Sequence, residues 1–273
     1  LSHCALLLTD KQMTPNSSRT HGKSNLLCID IGNTSTSAGL FHNDRLSRAG
    51  KILTSPLTAA NLISRLHLRL QPTDVHGICI CSVIPSLTGP VIRLLKHNYR
   101  TEVLEFTYKT RTSMRIAYKH PNEVGPDRIA NALAARERFG APILVVDYGT
   151  ATTFDIVGSD GSYQGGIIAP GIGISASSLA QYTARLPLVE IRKPGRVIGQ
   201  TTTECIRSGL FLSQVGLTKE IIRQLKSHLG LRHVKVVGTG GYVSLLKDIF
   251  PFDAIDPWLT LRGLSLVWQQ LRE

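Results

Sequence analysis

VVDYGTATTFD, residues 145–155, is the stretch on which the fold turns. Two β-branched valines lead into an aspartate, then a glycine, then hydroxyl-bearing threonines. LLCIDIGNTSTS at 26–37 repeats the pattern more than a hundred residues earlier. Each run predicts a strand, a tight Asp-x-Gly turn and a returning strand. An aspartate closing a buried strand is costly unless it is paired or faces a cation. The glycine lets the turn approach a ligand, and the turn's amides and hydroxyls suit phosphate oxygens. One copy alone reads as an ordinary hairpin with a turn aspartate. Two copies facing each other across a cleft would hold a polyphosphate, with carboxylates for Mg²⁺, which takes few protein ligands besides phosphates and water.

The surrounding pattern repeats as well. In the first half, a turn at 43–45 leads to a third strand over 46–53. A helix follows over 58–70, with Leu62, Ile63, Leu66 and Leu70 on one face. Then come a buried strand at 77–84, a helix from Pro85 to about residue 98, and a short strand at 103–106. The second half reads as a helix over 127–139, strands at 142–149, 152–158 and 162–169, and a helix over 173–185. One long helix or two follow over 203–229, then a strand at 233–238 and helices over 242–248 and 259–271. Such alternation predicts an α/β architecture with covered sheets. A boundary near 120–125, at HPNEVGP, separates the copies, so the expected division is a domain at 25–122 and another at 123–273. Residues 1–24 read as a polar extension outside the fold; the chain begins with Leu1, and Met13 offers a translation start.

The bulk composition is that of a globular protein: 273 residues, 42% hydrophobic and 18% charged. The net charge of +12 admits nucleic acid, acidic membranes or anionic small molecules. The charges are scattered, and the densest patch, YKTRTSMRIAYKH at 108–120, reads as a solvated face or a nucleic-acid surface. Five cysteines, Cys4, Cys28, Cys79, Cys81 and Cys205, lack the paired spacing of a zinc site and read as small buried hydrophobes. No apolar run reaches the ~18 residues of a membrane span. Gly22-Lys23-Ser24 ends like a P-loop, but Ser17 stands where its first glycine belongs.

Two other segments carry chemistry. Gly125-Pro126-Asp127-Arg128 reads first as helix-start chemistry; the other reading makes Asp127 a general base beside the cation Arg128. Gly238–Gly241 is either a tight strand–helix turn or bare backbone for a base or ribose.

Taken in order, DIGNT (30–34), GPDR (125–128), DYGTATTFD (147–155), GGIIAPG (165–171), LP (186–187), IGQTT (198–202), SGL (208–210) and TGG (239–241) resemble the type III pantothenate kinases, over roughly residues 25–271. The resemblance implies two duplicated ribonuclease-H-like (actin-like ATPase) domains with the active site in the cleft between them. It implies a cytoplasmic homodimer that phosphorylates pantothenate with ATP, Mg²⁺ and a monovalent cation, K⁺ or NH₄⁺, opening coenzyme A synthesis. By position, Asp30, Ile31, Gly32, Asn33, Thr34, Ser35, Thr36 and Ser37 would form the first phosphate motif, with Thr150 also on ATP. Asp127 would be the proton acceptor. Tyr118, Gly125, Pro126, Asp127, Arg128 and Thr202 would bind pantothenate. Asp147 would hold the monovalent cation, and Asp30 would hold Mg²⁺ directly or through water. Asp155 is left with a structural role. The chain departs from many relatives at Gln200-Thr201, where they carry Lys-Asn, and at Ser37, where some carry lysine. The competing expectations are a kinase for another small hydroxylated substrate, or a non-catalytic regulatory or nucleic-acid-binding protein on the same fold.

Overall fold

The computed structural model describes residues 25–54, 58–70, 74–230 and 234–272. They fall into two compact units, residues 25–140, 161–164 and 258–272 in one and residues 141–160 and 165–257 in the other. The expected N-terminal extension and Cys4 lie outside the described residues.

The first unit runs β1 (Asn25–Ile31), β2 (Ser35–His42), β3 (Arg45–Leu53), α1 (Ala59–Leu70), β4 (Val75–Ser82), α2 (Pro85–Tyr99), β5 (Val103–Glu105) and α3 (Pro126–Phe139). Its strands lie in the order β3-β2-β1-β4-β5. The first three form an antiparallel meander, and β4 and β5 run parallel to β1. Asn43 and Asp44 turn β2 into β3, both at positive φ (45° and 68°), as a two-residue hairpin turn of the primed type requires. One sheet face buries Leu27, Ile29 and Ile31 of β1 and Ile78 and Ile80 of β4 against Leu62, Ile63 and Leu66 of α1 and Val91 and Leu95 of α2.

The second unit runs β6 (Ile143–Tyr148), β7 (Ala151–Val157), β8 (Tyr163–Pro170), α4 (Ile172–Gln181), α5 (Thr202–His228), β9 (Lys235–Thr239), α6 (Val243–Leu246) and β10 (Ala254–Ile255). Its sheet order is β10-β9-β6-β7-β8, with β6 and β7 antiparallel and β9 parallel to both β6 and β10. Counted within each sheet, both read third-second-first-fourth-fifth, so the duplication expected from the two Asp-x-Gly runs is borne out in the topology. Leu144, Val146 and Tyr148 of β6 and Phe154 and Ile156 of β7 form its core with Phe211 of α5 and the Phe250 and Phe252 rings.

The last helix, α7 (Leu259–Gln270), packs in the first unit against α3, β1 and β4. The sequence placed the boundary at 122/123 and both of these helices in the second copy. The compact units instead part at 140/141, because α3 and α7 pack on one another within the first unit, with Gly263 of α7 against the backbone of Ala130. The 203–229 segment is a single helix. The short strand β10 was not legible, and α4 and α6 are shorter than the spacing predicted. Cys28, Cys79 and Cys81 are buried free thiols, as expected, while Cys205 is exposed. No described helix is long and apolar enough to cross a membrane.

Candidate active site

The first Asp-x-Gly turn joins β1 to β2. Asp30 and Ser37 are opposite one another in the ladder, and the Gly32 N–H donates to the Ser35 carbonyl at 3.1 Å. This leaves Asn33 and Thr34 exposed at the tip, with Asp30, Gly32, Ser35 and Ser37 half-buried. Ile31 and Thr36 have their side chains buried. Ile31 joins the core, and the Thr36 hydroxyl lies 2.9 Å from that of Thr54. Neither residue presents surface to a ligand.

Asp127 stands in the first turn of α3, after the N-cap Gly125 and Pro126. A β-carbon at Gly125 would come within 2.4 Å of the Asp127 Oδ1, so the carboxylate needs glycine there. Burial pushes the Asp127 carboxyl above its ordinary range; the Arg128 N–H, the Arg128 guanidinium and its own N–H pull the other way and are outweighed. A carboxylate held this way binds a proton more readily than a surface one, which suits a general base. Arg128 itself is buried.

Cys81 of β4 lies beside the first of these carboxylates. Its Sγ lies 3.4 Å from the Asp30 Oδ1. Burial, then the charges of Asp30 and Asp127, push its thiol well above the usual range. Asp30, Cys81 and Asp127 thus form one electrostatic cluster within the first unit. Sequence reading set Cys81 aside as a small hydrophobe; only the parallel pairing of β1 with β4 puts it opposite Asp30.

The second Asp-x-Gly turn joins β6 to β7 and is one residue tighter. Asp147 opposes Thr153, and the Gly149 N–H donates to the Ala151 carbonyl at 3.0 Å. Thr150 is exposed at the tip and Asp147 is half-buried. The TGG segment lies against this turn, with Thr239 in register with Asp147 and the Tyr242 N–H donating to the Tyr148 carbonyl at 3.1 Å. Gly240 has φ +93°, and a β-carbon there would fall 2.4 Å from the Asp147 Oδ1 and 2.6 Å from the Tyr148 backbone. Behind the turn, the buried Thr152 hydroxyl donates to the Gln214 Oε1, whose amide nitrogen donates to the Pro170 carbonyl. Asp155 is fully buried and accepts from the Thr153 hydroxyl at 3.1 Å, in keeping with the structural role expected of it.

Tyr118 belongs to the first unit; it is 37% exposed, with its ring centroid 6.4 Å from that of Tyr163. The rest of the basic patch around it is a surface face at Lys109, Arg111, Arg115, Lys119 and His120, while Met114 is buried. Thr202, in the second unit, is exposed as the first residue of α5. The departure at Gln200-Thr201 has a local role. Thr201 is the N-cap and accepts from the Glu204 N–H at 3.2 Å, while the Glu204 carboxylate accepts from the Gln200 N–H at 2.8 Å. This is close to a reciprocal capping box. Thr201→Ala is expected to cost ~1 kcal/mol and lower Tm by a few degrees in a thermal melt; an unchanged melt would show that the cap contributes nothing.

Comparison with known proteins adds an independent line. The family profile described as type III pantothenate kinase matches residues 26–224. A type III pantothenate kinase of Agathobacter rectalis is 40% identical over 254 residues, covering 90% of this chain and 97% of the relative. One from a Roseiflexus species is 38% identical over 254 residues, covering 90% and 99%. Among solved structures, a ROK family glucokinase from Streptomyces griseus, in complex with glucose and AMPPNP, superposes with TM-score 0.53 at 14% identity, covering 92% of this chain and all of that one. That likeness concerns the fold.

Proposed function

The chain belongs to the type III pantothenate kinase family, and we propose from that premise and the site geometry how its residues divide the work. The reaction is the ATP-dependent phosphorylation of pantothenate to 4'-phosphopantothenate, the first step of coenzyme A synthesis. The single observation that carries the residue assignment is Asp127 in the first turn of α3, its carboxylate set against the N-cap Gly125 and its proton affinity raised by burial.

Asp127 takes the proton of the primary hydroxyl as that oxygen attacks the γ-phosphorus. A new O–P bond forms, and the bond to the departing ADP oxygen breaks. Phosphoryl transfer of this kind needs positioning and charge stabilisation rather than covalent help from the protein. The exposed tip of the Asp30 turn, Asn33 and Thr34, and Thr150 of the second unit present amides and hydroxyls to phosphate oxygens. Gly125, Pro126, Arg128, Tyr118 and Thr202 are the pantothenate contacts in this reading.

The donor set fits Mg²⁺ that enters with the nucleotide. No group of three or more His, Cys, Asp or Glu residues able to hold a metal occurs among the described residues, and Asp30 supplies hard oxygen next to exposed turn groups. Asp30 would hold the ion directly or through water, where the ion neutralises phosphate charge. Asp147 is the proposed ligand of a monovalent cation; its Oδ1 lies so close to Gly240 that a β-carbon there would fall 2.4 Å from it. The homodimer and the cytoplasmic location belong to the same proposal. Tyr182, Leu188, Val197 and Ile198, 68–81% exposed in one unit, give a second copy an apolar surface to cover.

Mass spectrometry of the reaction product tests the substrate assignment. Pantothenate incubated with the protein, ATP, Mg²⁺ and K⁺ should gain one phosphate on its primary hydroxyl. Transfer only to another hydroxylated acceptor would replace pantothenate as the substrate, and salt-sensitive DNA binding without transfer would favour the nucleic-acid reading.

A further inference from the structure

We propose that Cys81 is a positioning residue for this reaction, its thiol hydrogen holding the Oδ1 of Asp30 and so fixing how that carboxylate meets the Mg²⁺-bearing phosphates. The proposal rests on the functional reading above and deepens it.

Asp30 and Cys81 are register partners in the parallel β1–β4 pair, so their side chains leave the sheet side by side. Cys81 is fully buried, and its Sγ lies 3.4 Å from one carboxylate oxygen with the thiol as donor. The thiol is shut away from water, and a buried donor makes a stronger hydrogen bond than an exposed one. Asp30 stands one residue from the end of β1, beside the exposed tip of the turn. Cys79 supplies the internal comparison. It is equally buried, on the same strand and the same face two residues earlier, but its register partner is Cys28 and not a carboxylate.

The test uses the full chain. ATP binding is measured by calorimetry in Mg²⁺ and in EDTA, beside kcat, KM and Tm, for the wild type, Cys81→Ala, Cys81→Val, Cys81→Ser and Cys79→Ala. Loss of a hydrogen bond to a charged acceptor predicts roughly ten-fold weaker ATP binding in Mg²⁺ for Cys81→Ala, a smaller change in EDTA, and a similar fall in kcat/KM. Cys81→Val, which fills the space without a donor, should match it and stands in should the alanine variant not fold. Cys81→Ser should recover to within about three-fold, since a hydroxyl is also a donor. Cys79→Ala should lower Tm as Cys81→Ala does and leave ATP binding in Mg²⁺ unchanged. Wild-type binding in the non-donor variants, or an equal loss in Cys79→Ala, overturns the role of Cys81. Absence of pantothenate-dependent ADP release in the wild type overturns the functional reading instead, so the two failures are told apart.

Discussion

Asp127→Asn is expected to lower kcat by ~10²–10⁴-fold, the usual contribution of a positioned general base, while ATP affinity stays close to that of the wild type. The substitution keeps the size of the side chain and removes only its ability to take a proton. It also separates catalysis from folding. Burial raises the proton affinity of Asp127 in the folded chain. Its contribution to stability is therefore present below the ordinary carboxylate pKa and lost as pH rises through the raised value. Asparagine suffers no such loss, so the variant should melt at or above the wild-type temperature at neutral pH. The same shift sets the acid limb of the wild-type kcat/KM profile. Activity should fall as pH drops through a value above the ordinary aspartate range, because the base must be ionised. A variant with near-normal turnover, or a wild-type limb at the ordinary aspartate value, would sink the assignment.

Gly240→Ala is expected to damage the second turn almost as severely. Alanine at φ +93° is strained, and its β-carbon would meet the Asp147 carboxylate and the Tyr148 backbone, which cannot both give way. A destabilisation of about 2–4 kcal/mol follows, with a fall in Tm of ~5–10 °C. Because the displaced atom is the Asp147 Oδ1, the activity that survives should need more K⁺ for half-maximal rate. A variant with an unshifted melting curve and an unshifted K⁺ response would show that Gly240 does not shape the Asp147 site.

The repeated strand-turn-strand was legible because its signal is local. Alternating β-branched residues, an aspartate at the strand end and a glycine two later fix a hairpin wherever the tertiary context allows one. The two sheets then follow from the same pattern twice, and the family resemblance from the ordered motifs. What was hidden depends on contacts distant in sequence. The Ala-rich helix after GPDR reads as the start of the second copy until the terminal helix is seen lying on it. Cys81 reads as filler until β4 is set beside β1, since nothing in CICS announces the register. Gly240 reads as a plain turn until β9 brings it against Asp147. Gln200-Thr201, a departure on paper, becomes a helix cap once α5 is placed. Thr36 and Ile31 sit within a phosphate motif yet turn inward, because alternate residues of a strand face opposite sides of the sheet.

Transfer of the γ-phosphate of ATP to pantothenate by this chain is measured most directly as coupled ADP release. Rates are recorded with and without pantothenate, Mg²⁺ and K⁺, using the full chain. ADP release is expected to require pantothenate and Mg²⁺ and to rise with K⁺. The absence of pantothenate-dependent ADP in every condition would contradict it.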